Sequence, residues 1–518
     1  MERLRQQAEA LLTDALRQIT AYPELHRLQA GLKQALADLD GPMRVAIVGK
    51  LKAGKSTLMN AFLGEQKVPT GATEMTFNVN WFRYAETPEI TVVFKNGQQT
   101  VCNFEELQDL TIRNSNKGDF IRNIKHINVG YPNELLRKFH LIDTPGLDSF
   151  YEVDAKNTLD FLGIGSDEIE KWTMSAAGDA DAIVYLFSRT LSEYDLSVLR
   201  RFHGGVSQMN ATNSIGVLTR VDDYFPQEQD AIGKARDIID STANEQAVLK
   251  KLFYTIKPIC GILALGAQTM TREDFALLKR IAAFPAEILD RSVWRKGKEA
   301  FITRSFDTLP DFPVKEERAR LAGKLGMYGI KLACDKIREG VDYEGVKKYL
   351  FEESGVEHLR QILISHFGNR SFIIKLSKSL RDLQKICFMA RQGVSGKASE
   401  HVEDVEAKIA SLIAKRHEFR ELQVLRLYYE QALPFNEQEV RWILAVTGEW
   451  GGSIFQRLDM PEGAAFEELQ KQAEQRMNYF QKKARTSFFM NRQAQDAAST
   501  IADSFALLLQ HLKQINSF

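Results

Sequence analysis

Apolar residues recur at helical spacing from the start of the chain: Leu4, Ala8, Leu11, Leu12, Ala15 and Ile19, then, beyond Tyr22-Pro23, Leu25, Leu28, Leu32, Leu36 and Leu39. That spacing predicts two amphipathic helices within residues 1–40. From Arg44 the pattern changes. Short β-branched or apolar runs at Val45–Val48, His140–Ile142, Ala182–Phe187, Ser214–Leu218 and Tyr254–Ile256 alternate with helical stretches. Such alternation predicts an α/β unit, a mostly parallel sheet covered by helices on both faces. Ile90–Phe94, followed by the Asn96-Gly97 turn, and Ile124–Val129 predict an antiparallel edge on that sheet. Past residue 300 no strand pattern remains, and long amphipathic stretches follow at Val356–Phe367, Phe372–Met389, Val402–Leu425, Phe466–Phe480 and Ala497–Ile515. Pro434, Gly448–Gly452 and Pro461–Gly463 punctuate them.

Composition narrows the function classes. A chain of 518 residues has room for several cores. Lys plus Arg and Asp plus Glu are equal at 68 each, so no one-signed field gathers nucleic acid onto the whole molecule, and none is expected as a partner. Cys102, Cys260, Cys334 and Cys387 lack paired metal-ligand spacing and suit a reducing compartment. The first residues mix charge through their apolar positions, unlike an export signal, and no apolar run reaches the roughly 18 residues a spanning helix needs. Phe253–Met270, the longest doubtful stretch, holds Lys257, Pro258 and two glycines and reads as a buried strand, a loop and a helix.

The chemistry concentrates where strands meet loops. Gly49-Lys-Leu-Lys52-Ala53-Gly54-Lys55-Ser56-Thr57 satisfies the phosphate-loop pattern, with a buried-type strand before it and helical periodicity through Leu58, Met59, Phe62 and Leu63 after it. Glycines let the backbone wrap close to phosphates, and a helix N-terminus offers unpaired N–H groups. Lys55 is expected on the β- and γ-phosphates and Ser56 on Mg2+. Asp143-Thr-Pro-Gly146-Leu147 ends a second buried run, placing Asp143 to hold Mg2+ through its water shell and the Gly146 N–H to meet the γ-phosphate. Thr219-Arg220-Val221-Asp222 ends a third. Guanine alone presents two neighbouring donors that one carboxylate, here Asp222, accepts together; Arg220 would lie over the base and Thr219 would fix the loop.

On these motifs the chain resembles the dynamin-like GTPases, in their bacterial branch. Val68-Pro69-Thr70-Gly71-Ala72-Thr73-Glu74-Met75-Thr76 resembles that family's first switch, which makes Thr76, with Thr73 as the fallback, the expected Mg2+ ligand and water-positioning residue. Pro258-Ile-Cys260-Gly261 falls where the family has its last base-loop motif. Residues 318–330 (RARLAGKLGMYGI) and the stretch from Ser354-Gly355-Val356 to Arg370 resemble the join between GTPase and helical regions. The resemblance implies residues 1–41 as N-terminal helices packing with a C-terminal bundle, residues 42–300 as the GTPase domain and residues 301–518 as an all-α bundle and stalk.

It further implies Mg2+-dependent hydrolysis of GTP to GDP, self-association through the GTPase domain, a possible second dynamin-like partner, and a cytoplasmic place, peripheral at the inner face of the membrane. Lys52 stands where many members have a serine and where related families place an arginine finger, so it is a candidate internal cation in catalysis. Leu147 replaces the glutamine of small switch GTPases. Two segments suit an anionic membrane surface: the basic stretch Lys482–Arg492 around Phe488-Phe489-Met490, and glycine-rich Trp450–Phe455. Each suits a buried helix face or an interhelical turn as well, so a soluble GTP-dependent switch acting on protein partners is the alternative to a membrane-remodelling GTPase.

Overall fold

The computed structural model describes the chain apart from residues 1, 40, 51, 65–78, 104–122, 145–179, 190, 194, 197–198, 200–212, 246–251, 307–308, 369, 430–432, 487–490 and 516–518. Helices α1 (Glu2–Ile19) and α2 (His26–Leu39) are divided by a short turn at Pro23–Leu25, where the proline fixes the entry to α2. Strand β1 (Met43–Gly49) and helix α3 (Lys55–Leu63) follow, then β2 (Asn80–Tyr84), β3 (Glu89–Phe94), β4 (Gln99–Cys102), β5 (Ile124–Tyr131), β6 (Phe139–Asp143), β7 (Ala182–Phe187), β8 (Ser214–Leu218) and β9 (Thr255–Pro258). They form one nine-stranded sheet in the order β4-β3-β5-β2-β6-β1-β7-β8-β9. The run β6-β1-β7-β8-β9 is parallel throughout. β3 pairs antiparallel with both β4 and β5, and β2 joins the two parts, parallel to β5 and antiparallel to β6. The antiparallel edge is thus where the turn chemistry puts it, with β2 and β4 as strands the pattern does not reveal.

Strands β7 and β8 are buried at every position, which is why they read as unbroken apolar runs. β2, by contrast, is half-exposed at Trp81, Arg83 and Tyr84. Helices α4 (Ala231–Glu245), α5 (Gly261–Thr269), α6 (Arg272–Ala282), α7 (Lys315–Arg338) and α8 (Tyr343–Glu353) lie along the chain beyond β8. The core on one sheet face runs past residue 300, joining Val48, Ile183 and Tyr185 to Leu321, Leu325, Tyr328 and Leu350. On the other face Val45, Ile47 and Val184 share a core with Val356 and Leu359 of α9 (Val356–Ile362).

The remaining helices are α10 (Ser371–Arg391), α11 (Lys397–Lys415), α12 (His417–Tyr429), α13 (Glu437–Val446), α14 (Phe466–Thr486) and α15 (Arg492–Ile515). Leu4, Leu12, Leu28 and Leu32 of the two N-terminal helices pack with Leu376, Leu380, Val402 and Ile409. A separate distal core gathers Val424, Ile443, Ala473, Phe480, Ile501 and Phe505, with the Phe480 and Phe505 rings stacked 6.1 Å apart. The amphipathic stretch Val402–Leu425 is therefore two helices rather than one, broken at Arg416 (φ −99°, ψ 123°). The break has a packing cause: Val402, Val405 and Ile409 serve the first core and Val424 and Leu427 the second. No described helix is long and apolar enough to cross a membrane.

Glycine-rich Gly448–Gly452 holds a buried charge rather than a free tip. Glu449 receives the Tyr254 hydroxyl at 2.8 Å and an ion pair from the Arg370 guanidinium. Arg370 also donates to the Thr447 carbonyl at 3.0 Å and to the Thr447 hydroxyl at 3.1 Å, while the fully buried His366 ring lies tilted against that of Tyr254, their centroids 3.7 Å apart. Burial pushes the Glu449 carboxyl up, but Arg370, His366 and Tyr254 outweigh it and hold the group below the usual range. This latch ties the distal helices to the segment entering β9. Replacing Glu449 with alanine strands a buried guanidinium, a cost of about 3–5 kcal/mol. We expect Glu449→Ala to bring the first calorimetric unfolding transition to lower temperature; superimposable traces for variant and parent would remove the latch as a stabilising contact.

Candidate nucleotide site

The site begins where β1 stops. A Cβ on Gly49 would stand 2.5 Å from the Leu186 carbonyl of β7, so only glycine lets the chain leave the sheet here. The loop then turns through left-handed backbone at Lys52 (φ 59°) and Gly54 (φ 88°) and enters α3 at Lys55, with Ser56 and Thr57 half-buried in its first turn. The Lys55 ammonium donates to the Gly49 carbonyl at 3.2 Å and the Lys50 carbonyl at 3.1 Å, so the loop closes around its own cation. Lys50 is held from outside, donating to Ser192 Oγ at 3.0 Å with Asp195 Oδ2 at 3.2 Å. Asp195 is buried and also accepts from the Tyr185 hydroxyl at 2.7 Å and the Ser192 N–H at 2.8 Å. Ser192 and Asp195 are site-supporting residues the motif reading missed; their Ser-x-x-Asp spacing was the available signal.

Asp143 ends β6 directly across from Ile47. It is wholly buried, and among the described residues neither carboxylate oxygen has a well-formed hydrogen bond, the Asn80 amide acting on it only weakly. Burial pushes its carboxyl up to about 6 against the pull of the Lys55 ammonium and, more weakly, the Asn80 amide. A buried and poorly satisfied acidic oxygen pair, next to the hydroxyl-bearing first turn of α3, fits a hard cation that takes oxygen ligands. Thr144 anchors the strand end by donating to the Ile47 carbonyl at 2.8 Å. Gly146, Thr73 and Thr76 lie outside the described residues.

The loop after β8 is bonded to the loop after β1. Thr219 donates its hydroxyl to the Ala53 carbonyl at 2.7 Å, with the Phe187 carbonyl at 3.1 Å, so the loop after β8 is fixed to the phosphate loop. Arg220, in left-handed backbone at φ 56°, pairs with Asp223 at 2.9 Å. Burial and then the Asp223 charge raise the Asp222 carboxyl above its usual range. The fully buried Cys260 thiol donates to Asp222 Oδ1 at 3.6 Å, and burial followed by the Asp222 charge keeps that thiol protonated. Cys260 thus turns inward to hold Asp222, while its neighbours Ile259 and Gly261 face the cavity. Gly261 sits tightly on α3, where a Cβ would come 3.1 Å from Thr57 Cγ2. Lys52, Gly54, Thr57, Thr219, Arg220, Asp222 and Gly261 border one cavity of about 670 Å3.

The profile of the Dynamin family matches residues 45–221, from β1 through the phosphate loop and Asp143 to Thr219 and Arg220. Isoniazid-induced protein IniC of Mycobacterium tuberculosis is 29% identical over 450 residues, covering 86% of each chain. Dynamin-like protein 2 of Campylobacter jejuni is 34% identical over 137 residues (26% of this chain, 22% of that one), and a bacterial dynamin-like protein of Nostoc punctiforme is 28% identical over 129 residues (23% and 18%). Residues 45–221 thus match the Dynamin family, and the chain resembles the dynamin-like GTPases. The profile ends just before Asp222 and the Cys260-Gly261 loop.

The state of Asp143 has a measurable sign. Its native pKa is raised, so the native state holds the proton more tightly than the unfolded chain, and the cost of the buried charge is present above about 6 and fades as pH falls through that value. Asp143→Asn should stabilise the nucleotide-free protein by about 1–3 kcal/mol near neutrality. The gain should shrink toward about pH 5. Melting curves of both proteins at the two pH values check this, and a gain independent of pH would contradict it.

Proposed function

We propose that this chain binds GTP with Mg2+, hydrolyses it to GDP and phosphate, and couples that cycle to self-association and to binding or remodelling of a membrane. The observation carrying the reading is the single cavity shared by the phosphate loop and Asp222, its two sides joined by the Thr219 bond to Ala53. A triphosphate would draw the Lys55 ammonium from the Gly49 and Lys50 carbonyls onto the β- and γ-phosphate oxygens, with the N–H groups of Gly54 and the first turn of α3 completing the grip. Ser56 and Asp143, with Thr76, would hold Mg2+, which when bound offsets the phosphate charge. Asp222, kept in place by the Cys260 thiol, accepts the two neighbouring donors of guanine. Lys52 borders the cavity from the loop edge, where its charge can meet negative charge developing on the γ-phosphate.

Resemblance to the dynamin-like GTPases supports self-association through the GTPase domain, with a second dynamin-like protein as a possible partner. For the membrane, Lys482 and Arg485 near the end of α14 and Arg492 at the start of α15 stand on either side of residues 487–490, while Lys483 is paired with the buried Glu439. The contact is peripheral and cytoplasmic in this reading. The docking of Glu449 anchors the start of the other segment to the fold, which suits a second reading, although Trp450 beside it is exposed. In that reading the chain is a soluble GTP-dependent switch acting through its helices.

Phosphate release from Mg·GTP tests the enzyme. Lys55→Ala should abolish it, and Lys52→Ala should slow it by about a hundredfold while GTP still binds. An unchanged rate at unchanged affinity removes Lys52 from catalysis. Asp222→Asn should move the preference from guanosine to xanthosine triphosphate; retained preference for GTP would refute the base assignment. Co-sedimentation with anionic liposomes, with and without a non-hydrolysable GTP analogue, separates the membrane reading from the soluble one.

A further inference from the structure

Helix α7 carries a break with no structural excuse in its own sequence: no proline lies in it, yet Gly326 stands at φ 68°, ψ 170°. That region is open essentially to glycine alone. Both halves of the helix are pinned, so the break is not fraying. Before it, Arg318 donates to the Phe301 and Pro313 carbonyls, each at 2.6 Å, and Lys324 reaches Asp274 at 2.6 Å. After it, Tyr328 is buried with its ring 5.9 Å from that of Phe225. What the break accomplishes is positional. Gly326 and Met327 line the nucleotide cavity, and a Cβ on Gly326 would stand 3.7 Å from Asp222 Oδ2 and 3.6 Å from Ile262 Cγ2.

The other oxygen of Asp222 accepts the Cys260 thiol. Cys260 is itself held from a later part of the chain, its N–H donating to the Ser354 carbonyl at 2.9 Å, and a Cβ on neighbouring Gly355 would come 2.7 Å from the Pro258 carbonyl. One carboxylate oxygen therefore faces the α7 break, and the other faces a loop clamped by the turn before α9. Both motifs that the sequence places at the join between sheet and helices converge on Asp222.

We propose that the Gly326-Met327 break of α7 is a guanine-specificity element: the Gly326 main chain and the Met327 side chain form the wall of the base pocket beside Asp222 and set that carboxylate for the two-donor edge of guanine. The proposal rests on the GTP reading above and extends it to residues beyond the motif set. With any other residue at 326 the left-handed geometry is strained, the chain gains by continuing the helix, and Met327 and its main chain leave the wall. Guanine should then lose the advantage of its 2-amino group, because a carboxylate that is no longer fixed cannot accept both donors well. The phosphate grip, made by α3 and its loop, should be untouched.

Calorimetric titration of the full chain with Mg2+ present separates these effects, using GDP, the inosine diphosphate that lacks the 2-amino group, and inorganic triphosphate as a phosphate-only probe. Gly326→Ala should weaken GDP by about tenfold, the worth of one hydrogen bond to a charged group. Inosine diphosphate should change little, triphosphate not at all, so the GDP-to-IDP ratio falls. An unchanged ratio, or a parallel loss with all three probes, overturns the proposal. If circular dichroism shows Gly326→Ala unfolded, Met327→Ala replaces it: a reduced GDP-to-IDP ratio supports the element and an unchanged one overturns it. Failure of the parent protein to bind GDP would overturn the GTP reading itself, a result distinct from either.

Discussion

β1 lies parallel between β6 and β7, and the contact of Gly49 with the Leu186 carbonyl fixes the point at which the chain leaves the sheet. The rest of the site depends on that constraint. From there the loop can only turn back over the strand ends, which brings the Lys55 ammonium onto its own carbonyls and within electrostatic reach of Asp143. Opposite charges are thus gathered in a place too dry for either to be at ease. The cation is satisfied by backbone oxygens, and the anion has no well-formed hydrogen bond among the described residues. A site with a ready cation and a poorly satisfied buried carboxylate is arranged for a phosphate on one side and a metal ion on the other.

The helical part is joined to this site by two kinds of contact that differ in strength and reach. Close to the base the contacts are neutral and short: Thr219 to Ala53, the Cys260 N–H to Ser354, and the α7 break against Asp222. Such contacts define position, since a shift of a few tenths of an ångström would break the fit. Farther out, the joint is ionic, with Glu449 buried among Arg370, Tyr254 and His366. A buried charge pair of this kind adds little net stability but strongly penalises separation of its partners. The distal helices are therefore registered on the sheet through Tyr254, a residue that leads directly into the strand before the base loop.

Much of this was legible in the sequence, for physical reasons that also explain the gaps. The parallel strands are buried on both faces and so write continuous apolar runs, and the phosphate loop must combine glycines, a lysine and a helix start in fixed order. β2 escapes because it is only five residues long and half-exposed at Trp81, Arg83 and Tyr84, so no clean alternation shows. The split at Arg416 escapes because apolar spacing continues through it while the cores it serves change. Cys260 could be placed in the loop but not oriented, since thiol direction depends on where Asp222 lies in space. Gly326 and Glu449 share one difficulty: their roles are set by partners about a hundred residues or more away, and no local pattern reports such a pairing.

Equilibrium binding of magnesium nucleotides to the intact, folded protein tests the central claim most directly. One guanosine diphosphate should bind per chain, adenosine diphosphate should fail to compete, and chelating Mg2+ should weaken the guanine complex. Equal affinity for the two purines, or no binding of either, would contradict a site built from the Lys55 loop, Asp143 and Asp222.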